Sequence, residues 1–500
     1  MKKILIANRG EIAVRVARAC RDAGIPAAAV YSDADRASLH VLEADEAVRI
    51  GPAPALESYL NVDAVIGAAR TVGADAVHPG YGFLAENWQF ARRCEDEGLT
   101  FIGPPSAALH LVGDKIRSRE TMRGVGVPII PGMLDAGGGD EACAAKAREM
   151  GYPVLVKASA GGGGKGMQVV RSAADLPNAL ATARRVAKSA FGDDTVYVEK
   201  LIERPRHVEF QVLADRHGNV VHLFERECSI QRRHQKIVEE SPSTALTPEL
   251  RARMGETAVK AAKACGYQNA GTVEFLLAED RSFYFLEVNA RIQVEHPVTE
   301  LVTGVDLVRE QILVASGRPL TLKQSDLAQR GHAIECRIYA EDPANDFLPS
   351  PGRILSLCEP AGPGVRHDCG IYEGWDVPVH YDPILSKLIV HAADRETARL
   401  RMLRALSDFV VLGIATTIDY LREIVASEPF AKGDTQTDFI EKHMAGRPAG
   451  AADAAALEAA LVAGAIFLSA GSAPARAGGR RREQSPWDTL GAWSIGRRSS

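Results

Sequence analysis

The stretch TVEFLLAEDRSFYFLEVNARIQVEHP, residues 272–297, decides how the rest of the chain is read. Residues 272–277 and 284–289 are two runs rich in aromatic and β-branched side chains, closed by Ala278 to Phe283, which is a hairpin signal. Glu274 and Glu287 lie equally far from the Asp280-Arg281 turn. A simple hairpin therefore sets them directly across from each other, with Asn289 two residues on and on the same face. The alternation Val273/Phe275/Leu277 and Tyr284/Leu286/Val288 supplies the buried opposite face. Two facing carboxylates destabilise a strand pair, and a divalent cation reverses the sign. Two Glu oxygens plus an Asn carbonyl suit Mg²⁺ or Mn²⁺ that also holds nucleotide phosphates. The plain alternative is a pair of solvated carboxylates on an exposed strand face.

The polar run that follows is where an acceptor substrate would sit. Arg291 offers a planar fork for a small oxyanion such as carboxylate or bicarbonate, and Glu295 is a general-base candidate. Upstream, the strand Tyr152–Lys157 enters the run Gly161-Gly162-Gly163-Gly164-Lys165-Gly166. Backbone N–H groups there can approach phosphate oxygens with no Cβ in the way, and Lys157 and Lys165 add cations. It is not a P-loop, because Gly166 stands where Ser or Thr is required; the alternative is a surface loop. His207–Val212 and Val220–Phe224 flank a turn at His217-Gly218-Asn219, a further hairpin. The cluster Gln231-Arg232-Arg233-His234-Gln235-Lys236 either neutralises phosphate or bicarbonate or forms a solvated turn.

Residues 1–112 alternate strand and helix. Ile4–Ala7 reads as a strand buried on both faces, Ile12, Val16 and Ala19 recur at helical spacing, and Ala27–Tyr31 is the next strand. That is the β-α-β start of a parallel sheet. Gly-x-Gly-x-x-Gly is absent after the first strand, which argues against a nicotinamide cofactor. Short strands at Ala333–Tyr339 and Leu388–His391 and a helix around Glu396–Phe409 mark another domain at 332–445.

The 500 residues allow about three domains. Their 46% hydrophobic and 25% charged content is that of a globular protein, and the net charge of −5 gives no reason to expect nucleic acid as partner. The longest uncharged apolar stretch, Ala459–Ala470, is far short of the ~20 residues that cross a bilayer, so no membrane partner is expected. Eight cysteines without a Cys-x-x-Cys pair read as reduced thiols, with Cys228 and Cys265 in the core. No signal-peptide pattern follows Met1, and a cytoplasmic location is expected. Residues 446–500 read as an Ala-rich amphipathic helix, a flexible linker and a tail carrying Trp487 and Trp493.

Ile6–Ala13, His78–Leu84, Lys157–Met167, Gln231–Lys236, Glu287–Pro297 and Gly331–Arg337 together resemble biotin carboxylase, of the ATP-grasp superfamily, over about residues 1–446. The resemblance implies an α/β and α+β protein. An α/β pre-ATP-grasp N-terminal domain (1–112) would precede an ATP-grasp domain (113–317) with a mobile lid at about 130–203. A biotin carboxylase C-terminal domain (332–445) and the tail would follow. It also implies that bicarbonate and ATP give carboxyphosphate and that the carboxyl group passes to biotin on a carrier protein.

By the same resemblance Lys115, Lys157, the glycines and lysine of 161–166, His207, Gln231 and His234 serve the nucleotide, with Glu199-Lys200-Leu201-Ile202 as the adenine hinge. Glu274, Glu287 and Asn289 hold two Mg²⁺ or Mn²⁺ ions. Lys236, Arg291, Gln293 and Val294 form the bicarbonate pocket, Glu295 is the base, and Arg337 stabilises the biotin enolate. A biotin-acceptor Lys between two Met is not found, nor a carboxyltransferase stretch. A biotin carboxyl carrier protein and carboxyltransferase subunits are therefore the expected partners, and a homodimer the expected assembly. The first half-reaction of an acetyl-CoA or propionyl-CoA type carboxylase is the expected task. Alternatives are a two-subunit pyruvate carboxylase, a silent nucleotide-binding subunit, and a ligase acting on an amine, against which Arg337 argues.

Overall fold

The computed structural model describes residues 1–133, 138–158 and 167–445, with 458, 461–464 and 466 of the tail. Near the N-terminus, β1 (Ile4–Ile6) is buried on both faces as its unbroken apolar run requires. The helix α1 (Gly10–Asp22) leads to β2 (Ala27–Ser32), and β3 (Glu46–Gly51), β4 (Ala76–His78) and β5 (Thr100–Phe101) complete a parallel sheet in the order β3-β2-β1-β4-β5. The chain runs outward from β1 and then returns to β4 on its other side, so β1 and β4 flank a switch point where open α/β sheets bind ligands. Two of the sequence motifs meet there. Asn8 Nδ2 donates to Pro79 O and Tyr81 O, both at 2.7 Å. Gly80, at φ +62°, lies so close that a Cβ would stand 2.8 Å from Asn8 Nδ2.

A smaller antiparallel sheet joins β6 (Val154–Ala158), β7 (Gln168–Val170) and β8 (Val196–Lys200), covered by helices Gly139–Met150 and Leu176–Phe191 through Cys143, Ala147, Leu180 and Ala183. The glycine run 161–166 lies outside the described residues, as do Trp487 and Trp493. Of the expected tail helix, residues 458, 461–464 and 466 are described, and they are helical.

The largest sheet is eight-stranded and antiparallel. Its strands are β9 (Arg206–Ala214), β10 (Val220–Arg232), β11 (Gln235–Ser241), β12 (Asn269–Leu277), β13 (Phe283–Asn289), β14 (His332–Tyr339), β15 (Val365–Cys369) and β16 (Ile384–Ala392). Their order is β13-β12-β9-β10-β11-β14-β16-β15, so β11 is hydrogen-bonded to β14 and one sheet runs through both the 113–317 and the 332–445 segments. On one face Val208, Phe210, Val273 and Phe275 pack on Met254, Ala258 and Ala261 of α2 (Pro248–Ala264). On the other face, partly covered by α3 (His296–Thr303), the alternate positions are polar.

The β12–β13 hairpin pairs Glu274 with Glu287 and Thr272 with Asn289, as the spacing predicts. The register then slips, and Phe275 pairs with Phe285. The bulge at Leu286 reverses the alternation of the outer half. Phe283, Phe285 and Val288 enter the core, while Tyr284 and Leu286, expected there, are only half-buried. Among the described residues no helix is long and apolar enough to cross a membrane.

Gly370, just after β15, abuts the start of α1, where a Cβ would stand 2.7 Å from Glu11 N and 3.1 Å from Gly10 C. We expect Gly370→Ala to cost ~1–3 kcal/mol by overpacking this seam. The control Gly67→Ala has nothing within 4 Å of its new methyl. Equal melting temperatures for the two variants would contradict the packing described.

Candidate active site

The polar face of the large sheet carries charges in a dry place, and those around Glu295 are matched by partners. Glu295 sits at the cap of α3 with no exposure. It accepts from Lys236 Nζ at 2.7 Å and from Arg337 Nη2 at 2.9 Å. The Lys236 ammonium also reaches Glu209 Oε2 at 2.5 Å and Glu274 Oε1 at 2.9 Å, so one cation serves three carboxylates. Behind Glu209 the fully buried Arg226 donates Nε at 2.6 Å, and its other nitrogens are met by Gln211, Thr299 and Thr272.

The protonation states follow from these contacts. Burial alone would raise Glu295, but Lys236, Arg337 and Arg226 outweigh it and hold the carboxyl well below its ordinary range. Burial would likewise discharge Lys236, yet Glu209, Glu274 and Glu295 hold its ammonium well above the usual value. Lys236 and then His207, whose Nε2 stands 3.0 Å from Glu274 Oε2, keep Glu274 ionised against its burial. Gln231, paired with Lys236 across the β10–β11 hairpin, contacts His207 Nδ1 at 2.9 Å. Glu287 differs: although its side chain is partly exposed, its desolvated position and the facing Glu274 push its pKa up, with Lys115 opposing from 4.0 Å.

A second knot caps β13. Arg291 Nε donates to Glu86 Oε2 at 3.0 Å, Nη1 to Gln293 Oε1 at 3.0 Å, and Nη2 to Asn289 Oδ1 at 3.3 Å. Gln293 is buried and its Nε2 has no partner among the described residues, which leaves a donor for a small oxyanion beside Arg291. The Val294 carbonyl accepts from the buried Lys387 Nζ at 2.8 Å, and the same ammonium lies 3.3 Å from Glu11 Oε2. The loop that presents Glu295 is thus tied to α1 and to β16.

The nucleotide-side residues form a third group. Lys157 on β6 lies 2.6 Å from Glu199 Oε2 on β8, and Arg119 shares that carboxylate. Burial, with Lys115 and Arg119 adding repulsion, draws the Lys157 ammonium down to about 7. Leu201 and Ile202 are half-buried; Lys200 N–H donates to Pro131 O at 2.8 Å and Leu201 N–H to Pro153 O at 3.3 Å. His234 is not brought to the centre. It is exposed at the hairpin tip, where Arg233 and His234 take φ of 50° and 67°.

The oxygen donors Glu274, Glu287 and Asn289 fit a hard dication, because positive charge would relieve the Glu274–Glu287 repulsion that raises Glu287. Glu209, Arg226, Glu239, Glu86 and Lys387 are members that motif reading missed. The signal for the first was the polar alternation His207/Glu209/Gln211 between Val208, Phe210 and Val212, on a strand with both faces covered.

Two outcomes follow from this geometry. Lys236→Met removes the first of the charges that depress Glu295, so the carboxyl rises and needs a higher pH to ionise. The acidic limb of bicarbonate-dependent ATP cleavage should then move to higher pH, and an unshifted limb would contradict the pairing. Glu287→Gln should lower metal-dependent ADP formation by at least ~100-fold, and a near-wild-type rate would contradict the metal assignment.

Comparison with known proteins agrees with the geometry. Residues 1–109 match the family model "Biotin carboxylase, N-terminal domain", 114–323 "Carbamoyl-phosphate synthase L chain, ATP binding domain", and 335–442 "Biotin carboxylase C-terminal domain". A pyruvate carboxylase subunit of Methanothermobacter thermautotrophicus is 55% identical over 446 residues, 89% of this chain and 90% of that one. Biotin carboxylase 1 of Bacillus subtilis is 53% identical over 444 residues, 89% and 99% of the two chains. Among solved structures, the biotin carboxylase domain dimer of Hydrogenobacter thermophilus 2-oxoglutarate carboxylase, in complex with MgADP, ADP and bicarbonate, superposes with a TM-score of 0.85 at 48% identity, over 89% of this chain and 98% of that one. An acid–base centre on an ATP-grasp sheet, flanked by both terminal domains of one family, places the chain in the biotin carboxylase family, with its three-domain architecture.

Proposed function

We propose that the centre around Glu295 carries out the ATP-dependent carboxylation of biotin with bicarbonate, by way of carboxyphosphate. The observation that carries this reading is the two-cation clamp on Glu295, a base kept ionised next to an oxyanion pocket. Bicarbonate bound by Arg291 and the free Gln293 amide, with Lys236 trading one of its carboxylate contacts for it, would have its own acidity raised by those charges. That compensates for the weak basicity of a carboxylate held so low. Glu295 takes the bicarbonate proton, and the freed oxygen attacks the γ-phosphorus of ATP, releasing ADP and leaving carboxyphosphate.

Lys115 and Lys157 would balance phosphate charge, and the arriving phosphates would restore the Lys157 proton that burial weakens. Mg²⁺ or Mn²⁺ held by Glu274, Glu287 and Asn289 would screen the phosphate charge and fix its orientation. Carboxyphosphate then splits to CO₂ and phosphate. Phosphate takes the ureido N1′ proton of biotin, and N1′ bonds to the CO₂ carbon. The oxyanion on the biotin ureido oxygen is met by Arg337, fixed in advance by Glu239 and Glu295, so little reorganisation is needed.

The expected domains 1–112, 113–317 and 332–445, with a lid at about 130–203, remain the division we propose. The carrier and carboxyltransferase are proposed as separate chains, forming an acyl-CoA carboxylase with this one. The likeness to a pyruvate carboxylase subunit favours pyruvate as the second reading. The Hydrogenobacter dimer supports a homodimer, and eight free cysteines fit the cytoplasm.

The test is a pair of assays on wild type and Arg337→Ala. Wild type should show bicarbonate-dependent ADP release that free biotin stimulates. The variant should lose at least ~100-fold in biotin carboxylation while bicarbonate-dependent ATP cleavage changes by less than ~10-fold. Equal losses would place Arg337 in the first half-reaction, and wild type without bicarbonate-dependent turnover would contradict the assignment.

A further inference from the structure

The polar face of the large sheet holds two more carboxylates that no step above uses as an acid or a base. Glu239 on β11 and Glu335 on β14 are directly opposed in the antiparallel register, and neither is exposed. Glu239 Oε1 accepts from Arg337 Nε at 2.5 Å. Its Oε2 and both oxygens of Glu335 are buried without a hydrogen-bond partner among the described residues. Three orphaned acceptors side by side make no sense for two ionised groups, since neighbouring carboxylates in a dry site cannot both keep their charge. One proton relieves the difficulty, because a Glu335 hydroxyl donating to Glu239 Oε2 removes one charge and pairs two of the three oxygens, leaving only the neutral Glu335 carbonyl oxygen without a partner.

We propose that Glu239 and Glu335 share one proton and act together as a single monoanionic anchor for Arg337, which makes Glu335 a positioning residue for the biotin half-reaction. The proposal rests on the role given to Arg337 above. Around the pair stand Lys236 of β11, Arg337 of β14, Lys387 of β16 opposite Arg337, and Glu295 at the cap of α3, with His296 facing Lys387. Burial, more than any charge, raises Glu335 well above the carboxylate range, with Lys387 opposing and Glu239 adding; burial likewise brings Glu239 to about 7. His296 is kept neutral by its own burial.

While the proton is held, Arg337 faces one charge from Glu295 and one from the pair. Losing the proton at alkaline pH adds a negative charge beside the guanidinium, where the biotin oxyanion must develop, and weakens its stabilisation. Biotin-dependent turnover should therefore fall on the alkaline side for a reason absent from the bicarbonate step.

The experiment measures bicarbonate-dependent ATP cleavage against pH, with and without biotin, in wild type and Glu335→Gln. The glutamine amide donates permanently to Glu239, so the alkaline limb of the biotin-dependent rate should move up by about one pH unit or more while the biotin-free limb stays in place. Coincident biotin-dependent limbs, or equal shifts with and without biotin, would overturn the proposal. Infrared difference spectra of the two proteins near neutral pH supply a measurement independent of turnover. A carboxylic-acid carbonyl stretch present in wild type and lost in E335Q is expected, and its absence from wild type would overturn the shared proton. Wild type without bicarbonate-dependent cleavage would overturn the functional reading and the positioning role with it, while the infrared band would still decide the shared proton.

Discussion

Everything at the centre depends on the Lys236 ammonium holding Glu209, Glu274 and Glu295 at once. Lys236 is the first of the charges that keep Glu274 and Glu295 ionised, while burial and the neighbouring Glu295 still push Glu209 up; taking such charges out of water costs several kcal/mol each before pairing offsets the loss. The pairing is geometrically fixed because the three carboxylates come from different places. Glu209 and Glu274 are register partners on neighbouring strands, and Glu295 is brought over them by the turn before α3. Arg226 and Arg337 then close the network on either side. Such a cluster adds less to stability than apolar side chains of the same volume would, so its presence argues for function.

The wider architecture keeps this cluster rigid. The sheet continues from β11 into β14 without a seam, so Lys236 and Arg337 are held by one hydrogen-bonded lattice although about a hundred residues separate them. The loop carrying Arg291 to Glu295 would otherwise be free to move. It is pinned by Glu86 at its start and by Lys387 on the Val294 carbonyl, and Lys387 also reaches Glu11 of α1. The N-terminal segment, through Glu11 and Glu86, and strand β16, through Lys387, therefore set the position of the base.

Much of this was legible in the chain. The equal spacing of Glu274 and Glu287 about their turn gave the register that the hairpin adopts from Thr272–Asn289 to Glu274–Glu287, whereas the polar alternation in the covered strand β9 was a signal of a charged interior that went unread. The bulge at Leu286 was not legible, because the local pattern reads equally well without it. Glu239, Glu335 and Lys387 were missed for a related reason. Their partners come from strands far away in sequence, so nothing in the local pattern of each strand marks them. The family resemblance proposed residues for a reacting centre; the tertiary structure was needed to show which residues hold them in place.

The chemistry requires a bicarbonate oxygen to reach the γ-phosphorus of ATP. The measurement that tests it most directly follows oxygen-18 from labelled bicarbonate into the inorganic phosphate released during turnover. Each phosphate is expected to carry one labelled oxygen, because carboxyphosphate keeps the bridging atom on phosphorus when it splits. Phosphate free of label, with the oxygen coming from water, would mean that the centre around Glu295 hydrolyses ATP without joining it to bicarbonate, and would contradict this mechanism.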